Sequence, residues 1–517
     1  MKRDWTFIAA IAALALIAVV RVASTHRVFS ATLDEPIHLA SGYEWLHGEY
    51  ALDVTHPPLA RIFCALPVVR FPEPRPTNMI DAGNQLLYHD NRYVDTLAAA
   101  RRGNLVLLIL ATITVAAWAR RHFSRATAIV ATALFTSVPA ILGHAGLITT
   151  DLSVAATLPL ALLALDLFLE SPSAKRAVFL GVAISLGALS KLSFFVYFAV
   201  CVVVWSAATR VAAVKSGDWR RRTPHVIVIA FVIVWAGYHF DFGPPEGVTK
   251  DVPNTFQAVG LPRWLASMPM PAPAIPVGFA QVKLHDLAGH TAYLLGETSR
   301  HGWWYYFPVV FFFKTPIPLL ILAAWALVFR DKRVTELLLL AAAIMLTAMT
   351  ASLNIGLRHI LPIYAPLSIV AAYAVVTIWQ RARDAFGRAT LAALLAWLFI
   401  GVAVEHPDYL AWFNEAARPD PARVAVDSNL DWGQDVLRLA EFVRARRIEH
   451  LWIVMNNATR LDAHGIRAVG LPPRTPVTGW IAVGENWLAF SGDEYDWLRV
   501  YRPVRRIGKS IRVYRIP

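Results

Sequence analysis

Two polar stretches follow the first apolar run, which covers roughly residues 6–23: Asp34-Glu35, then His56-Pro57-Pro58-Leu59-Ala60-Arg61. A carboxylate fixed at a membrane rim can take a proton from a hydroxyl or amine arriving from water, while a lipid-borne electrophile arrives from the bilayer. Thr32-Leu33-Asp34-Glu35-Pro36 also reads as a capped helix start, with acids favoured by the dipole. Spacing alone leaves both readings open. Pro57 and Pro58 stiffen a turn that would hold His56 and Arg61 against the membrane surface; a plain surface loop with a histidine fits as well.

Asp151 lies between two later apolar runs, where it either caps a helix or joins Asp34 at one outer cavity. Lys191, Lys314, Arg101, Arg102 and Arg358 each stand at or near the outer end of an apolar run. Snorkelling accounts for any one of them. Several on one side, opposite acids, make an anion site that suits a lipid phosphate, because Arg forks and Lys point charges both bind its oxygens. His301-Gly302-Trp303-Trp304-Tyr305-Tyr306 reads as an interfacial aromatic belt. The run Asp427-Ser428-Asn429-Leu430-Asp431-Trp432-Gly433-Gln434-Asp435 is elaborate for a loop and reads most simply as the cap of a tail helix.

The elements that position these residues are membrane helices. Of 517 residues, 56% are hydrophobic and 16% charged, with mean hydropathy +0.47. Soluble domains carry roughly a quarter charged residues. About eleven stretches approach the length of a membrane crossing, near 6–23, 103–119, 126–142, 152–169, 177–190, 192–209, 225–242, 304–328, 334–352, 361–379 and 390–404. The first lacks a small-residue cleavage site and is read as a retained helix.

Basic residues crowd alternate connections: Arg120, Arg121 and Arg125; Lys175 and Arg176; Arg210 through Arg222; Arg330, Lys332 and Arg333; Arg381, Arg383 and Arg388. The short opposite loops hold Lys191 and Arg358. That bias places the N-terminus in the cytoplasm and accounts for the net charge of +13 without a nucleic-acid partner. The expected fold is an all-α polytopic membrane domain over 1–404, with outer loops 24–102 and 243–303, the second irregular for its prolines. A small extracytoplasmic α/β domain over 405–517 follows, with a helix at Asp435–Arg446 and strands near Leu451–Met455, Trp480–Val483 and Ile511–Tyr514. Cys64 and Cys201 suggest neither a disulfide framework nor a metal cluster.

Taken together, the motifs resemble glycosyltransferase family 39, the dolichyl-phosphate-mannose protein mannosyltransferases and their bacterial relatives in the C superfamily of membrane glycosyltransferases. The resemblance rests on Asp34-Glu35, the turn His56-Pro57-Pro58-Leu59, the Arg opening the second run, Asp151, and the run from Arg358-His359 through Leu361-Pro362 to Tyr364; it covers most of 1–404. It implies an inverting transfer of a sugar from a polyprenyl monophosphate to a protein, lipid or glycan acceptor on the outer face. Asp34 would be the base and Glu35 would orient it or the acceptor. Arg101 or Arg102, Lys191 and Arg358 would neutralise the leaving phosphate. His56, Arg61, Asp151, Lys314 and His359 would complete the site. No metal or other cofactor is expected for a monophosphate held by Arg and Lys, and the bacterial inner membrane, with the site facing the periplasm, is the expected location.

Two departures qualify the resemblance. The loop 243–303 is too short for the lumenal β-trefoil domain of the protein mannosyltransferases. Trp303-Trp304-Tyr305-Tyr306 lacks the Asp of the oligosaccharyltransferase WWDYG motif and lies at a span, not in the tail. A transporter or lipid flippase is the rival class, but its internal repeats and midplane breaks are not visible in this sequence. A non-catalytic assembly scaffold would have no need to keep Asp34 with the basic set.

Overall fold

The computed structural model describes residues 2–49, 52–71, 73–74, 78–209, 218–382 and 385–517; Arg210 and Arg383 of the basic connections lie outside the described residues. Among these, five helices are long and apolar enough to cross a membrane: Asp4–Ala23, Tyr93–His122, Asp151–Glu170, Leu357–Arg381 and Ala385–Val404. Two bent pairs raise the number to seven if each is one span: Arg125–Phe135 with Pro139–Ala145, bent by 65°, and Tyr306–Lys314 with Ile317–Phe329, bent by 108°. Pro139 and Pro316 stand at these breaks, each lacking the N–H that would continue a helix. Other apolar stretches also form helices, such as Ala174–Ala188 and Ser193–Thr209, with 15 and 17 residues, shorter than the spans above. By length and composition the described residues hold five to seven candidate spans, where the sequence suggested about eleven apolar stretches.

Burial sorts these helices into a centre and a rim. Asp4–Ala23 and Ala385–Val404 are 22% and 17% buried, and turn Leu16, Ile17, Ile400 and Val404 outward. Such apolar faces are stable against lipid, not water. Asp151–Glu170 and Leu357–Arg381 are 78% and 89% buried. Asp151 and Arg358 thus sit at the starts of the two most enclosed spans.

The stretch 24–102 is not an open loop. It folds into the short helices Glu35–Leu46, Leu59–Ala65, Met79–Leu87 and Tyr93–Arg101, packed around Leu39, Tyr43, Leu86 and Leu97. Pro36 in the first turn of Glu35–Leu46 pre-sets the helical φ. The stretch 243–303 is less regular, as its prolines imply, and its longest helix is Ala274–Ala288.

Beyond residue 435 comes the helix Val436–Arg446 and a five-stranded sheet, in spatial order Ala468–Gly470, Leu451–Val454, Gly479–Gly484, Ile511–Ile516, Arg505–Ile507. The first three strands run parallel and the last two pair antiparallel. The two strands that the sequence pattern missed lie at the sheet edges and have three residues each, too few to show a period. Packing does not divide at 404/405. Tyr409, Phe413, Val426 and Leu430 belong to the core of the membrane helices, and the core of the sheet starts with Val436 and Leu439.

Candidate active site

Asp34 occupies the N-cap position of Glu35–Leu46, yet its side chain makes no capping hydrogen bond. Its Oδ2 accepts from Arg358 Nη1 at 2.7 Å. The same nitrogen lies 3.8 Å from Asp151 Oδ2, and Asp151 Oδ1 accepts from Lys191 Nζ. A line Asp34–Arg358–Asp151–Lys191 is thereby drawn from four separate segments. Asp34 is the most open of the four, its side chain 30% exposed, against 2% for Asp151. Burial by itself would raise the Asp34 carboxyl, but the opposing charge of Arg358, helped by His38, lowers it below its ordinary value. Asp34 is ionised at neutral pH and partly exposed, as a base requires.

The segment bearing Arg358 is held from above by the tail. Gly356 adopts φ +150°, and a Cβ there would fall 2.1 Å from Ser428 Oγ, so only glycine admits the approach. Ser428 Oγ donates to the Ile355 carbonyl, and the Leu357 amide donates to Asn429 Oδ1 at 3.0 Å. The Arg358 guanidinium stacks 4.3 Å from the ring centre of Trp432, which is 2% exposed. The polar run Asp427–Asp435 is therefore a wall of the site and more than a helix cap. Asp427 takes a left-handed φ of 57°, and burial pushes its carboxyl up to about 6 against the pull of Arg358. His144, 4% exposed, meets Trp432 edge-on at 6.2 Å. Trp432, Asp427 and His144 were missed as site residues; the density of polar groups in so apolar a chain was the available signal.

The turn at 53–61 is built on Asp53. Its carboxylate accepts from the Thr55 amide at 2.9 Å, pairs with His56 Nδ1 at 2.9 Å and binds Arg61, which also donates to the Asp53 carbonyl at 2.9 Å. The Leu59 amide, the first N–H after Pro57 and Pro58, donates to the Leu189 carbonyl at 2.9 Å, two residues before Lys191. Turn and lysine are thus tied together. Arg61, 4% exposed, braces the turn from inside. His56 remains partly exposed, with His38 edge-on at 4.8 Å. Among the described residues, His38, Asp53 and His56 are the one group whose ligand atoms gather closely, within 4.8 Å. Arg61 and His56 share the Asp53 carboxylate.

Several expected site residues turn out to be braces. Glu35 and Arg101 are both 0% exposed and form a bidentate pair, at 2.8 and 2.7 Å. Arg101 spends its remaining N–H groups on the carbonyls of His26, Phe29 and Ser30, at 2.8–2.9 Å. Glu35 also accepts from the amides of Thr32 and Ile148. With all five guanidinium donors engaged, Arg101 has none for a phosphate, and Glu35 has no face toward the acceptor. Lys314, 4% exposed, donates to the carbonyls of Leu410 and Asn429 at 2.7 and 2.6 Å and lies over the Phe413 ring; it ties the tail to the bent helix pair. Arg102 is exposed and joins none of the ion pairs of the cluster. His359 follows Arg358 but presents its backbone carbonyl to Tyr197, and its buried Nε2 has no partner among the described residues.

Residues 11–239 match the family described as dolichyl-phosphate-mannose-protein mannosyltransferase, a stretch that holds Asp34, His56, Asp151 and Lys191. No curated protein sequence matches the chain. Among solved structures, the chain is similar to ArnT from Cupriavidus metallidurans bound to undecaprenyl phosphate, with a TM-score of 0.53 and 14% identity over 97% of both chains. The apo state of that protein gives a TM-score of 0.51 at 14% identity over the same shares. At this identity the likeness is one of fold, and it extends through the tail.

Proposed function

We propose that this chain, a membrane glycosyltransferase with the fold of the C superfamily, moves a sugar from a polyprenyl monophosphate to an acceptor, with Asp34 as general base. The observation that carries the reading is the line Asp34–Arg358–Asp151–Lys191. Two acids and two cations balance there before any substrate arrives. A donor phosphate brings further negative charge and competes for Arg358 and Lys191. Arg358 then loosens from Asp34, whose carboxylate turns to the acceptor.

The chemistry follows from that exchange. Asp34 takes the acceptor proton as the acceptor oxygen or nitrogen bonds to the anomeric carbon. The bond from that carbon to the phosphate oxygen breaks, and its electron pair leaves with the phosphate, where Arg358 and Lys191 meet the charge. Attack opposite the leaving group inverts the anomeric centre. Asp151 holds Lys191 and Arg358 at their spacing, and Trp432 fixes the guanidinium plane. The undecaprenyl phosphate bound to the similar ArnT structure supports a polyprenyl carrier. The bias of basic connections supports a cytoplasmic N-terminus and a site opening to the periplasm of a bacterial inner membrane, with residues 405–517 on that side.

The test is transfer by the purified protein from a panel of radiolabelled polyprenyl-phosphate sugars to a membrane extract. Label is expected to move from at least one donor, and the labelled product identifies the acceptor. Transfer from a nucleotide sugar alone, with every polyprenyl donor inert, would contradict the reading.

A further inference from the structure

At the end of the helix Val436–Arg446 remote from Trp432 lies an open groove of about 660 Å³. Val443 and Ile448 give it an apolar floor, and Arg444, Arg447 and Arg467 line its rim with a single acid, Glu449. The three arginines are exposed and, among the described residues, pair with no carboxylate. Arginines near a helix C-terminus also complement the dipole, which accounts for Arg444. It does not account for Arg467, which enters from the opposite wall just before the strand Ala468–Gly470. Three guanidiniums, set against Glu449 and about half a negative charge at the helix end, leave about 1.5 positive charges over an apolar floor.

The walls are anchored. The Ile448 amide donates to the Val443 carbonyl at 3.0 Å, the Leu451 amide to the Arg467 carbonyl at 3.1 Å, and the Gly465 amide to the Asp462 carbonyl at 3.0 Å. Arg447 ends the helix with φ 52°, a place that glycine usually takes. Volume and rim together suit a small ligand with an oxyanion substituent that guanidinium forks can grip.

We infer that this groove binds an anionic saccharide unit, a sugar bearing phosphate or carboxylate, belonging to the acceptor. The helix has 11 residues, a rise of about 16 Å, and its other end adjoins Trp432 and Arg358. An acceptor seated in the groove therefore reaches the transfer site only if it extends over more than one sugar. The acceptor assignment rests on the proposed transfer reaction; anion binding in the groove does not.

Full-length protein in zwitterionic nanodiscs, titrated at low salt with trigalacturonate, glucose 6-phosphate and uncharged maltotriose, tests both parts. An anionic probe is expected to bind at least about tenfold more tightly than maltotriose and to weaken as salt rises. The triple variant R444Q/R447N/R467Q is expected to lose that preference while melting as the wild type does; Asn at 447 tolerates the left-handed φ. Asp34→Asn is expected to keep the binding, which separates the groove from the chemistry. Equal affinity for charged and uncharged probes, or a triple variant that binds as the wild type does, would overturn the inference. Displacement of the probe by phosphatidylglycerol in the nanodisc would make the occupant a lipid headgroup and overturn the acceptor assignment.

Discussion

At Asp34, burial and the facing guanidinium act on the carboxyl in opposite directions: burial raises its pKa, and Arg358 and His38 together lower it by more. A lowered carboxyl stays ionised as pH falls, so the proposed base is expected to remain competent into mildly acidic solution. Arg358→Gln removes the largest of the effects that oppose burial. It is expected to move the acid limb of the kcat/KM profile to higher pH, besides lowering the rate; an unmoved limb would show that Arg358 does not tune the base. Glu35, the next residue, has a different task. Glu35→Gln leaves Arg101 charged and unpaired at 0% exposure, a loss of about 3–5 kcal/mol that should appear in the thermal melt, with transfer per folded molecule largely kept. Full stability with lost transfer would return Glu35 to the chemistry. Sequence pointed to Asp34 and Glu35 as one acidic pair. Adjacent helical residues point about 100° apart, so one is partly exposed and the other turns into the core, and no spacing rule reveals which.

The elements repeat this pattern. Apolar runs are legible because helices in lipid must be apolar along their length, whereas the loop Asp427–Asp435 reaches Arg358 only through the fold. Its position in the chain carried no sign of that contact. Trp432→Ala is expected to slow transfer by about tenfold, the equivalent of a cation–π contact worth about 1–2 kcal/mol. Trp432→Phe, which keeps a ring face, should recover most of that; an alanine variant of undiminished rate would detach the loop from the reaction. The same loop carries Asp431, whose carboxyl burial pushes up to about 7. A group held above its unfolded value stabilises fully below about pH 4 and loses that contribution as pH rises through about 7. The melting temperature is therefore expected to decline between pH 5 and pH 8, and Asp431→Asn to flatten the decline. An identical slope in the variant would place the pH dependence elsewhere.

Over the whole molecule, lipid-facing helices at the rim surround two enclosed spans that begin at Asp151 and Arg358, and the tail closes over them. The family match ends at residue 239, before Arg358, Lys314 and Trp432, yet the fold likeness covers 97% of the chain at 14% identity. Membrane class and the tail strands near 451, 480 and 511 were legible, because each depends on local composition or period. The packing division near 435 and the engagement of Arg101 and Lys314 by buried partners were not, because each depends on which buried groups meet. Everything proposed for the reaction converges on one carboxylate. The most direct measurement is the transfer rate of Asp34→Asn beside wild type, with both melts recorded. A fall of about 10²–10⁴-fold at an unchanged melting temperature is the expected result; a folded variant transferring within about tenfold of wild type would show that Asp34 is not the base.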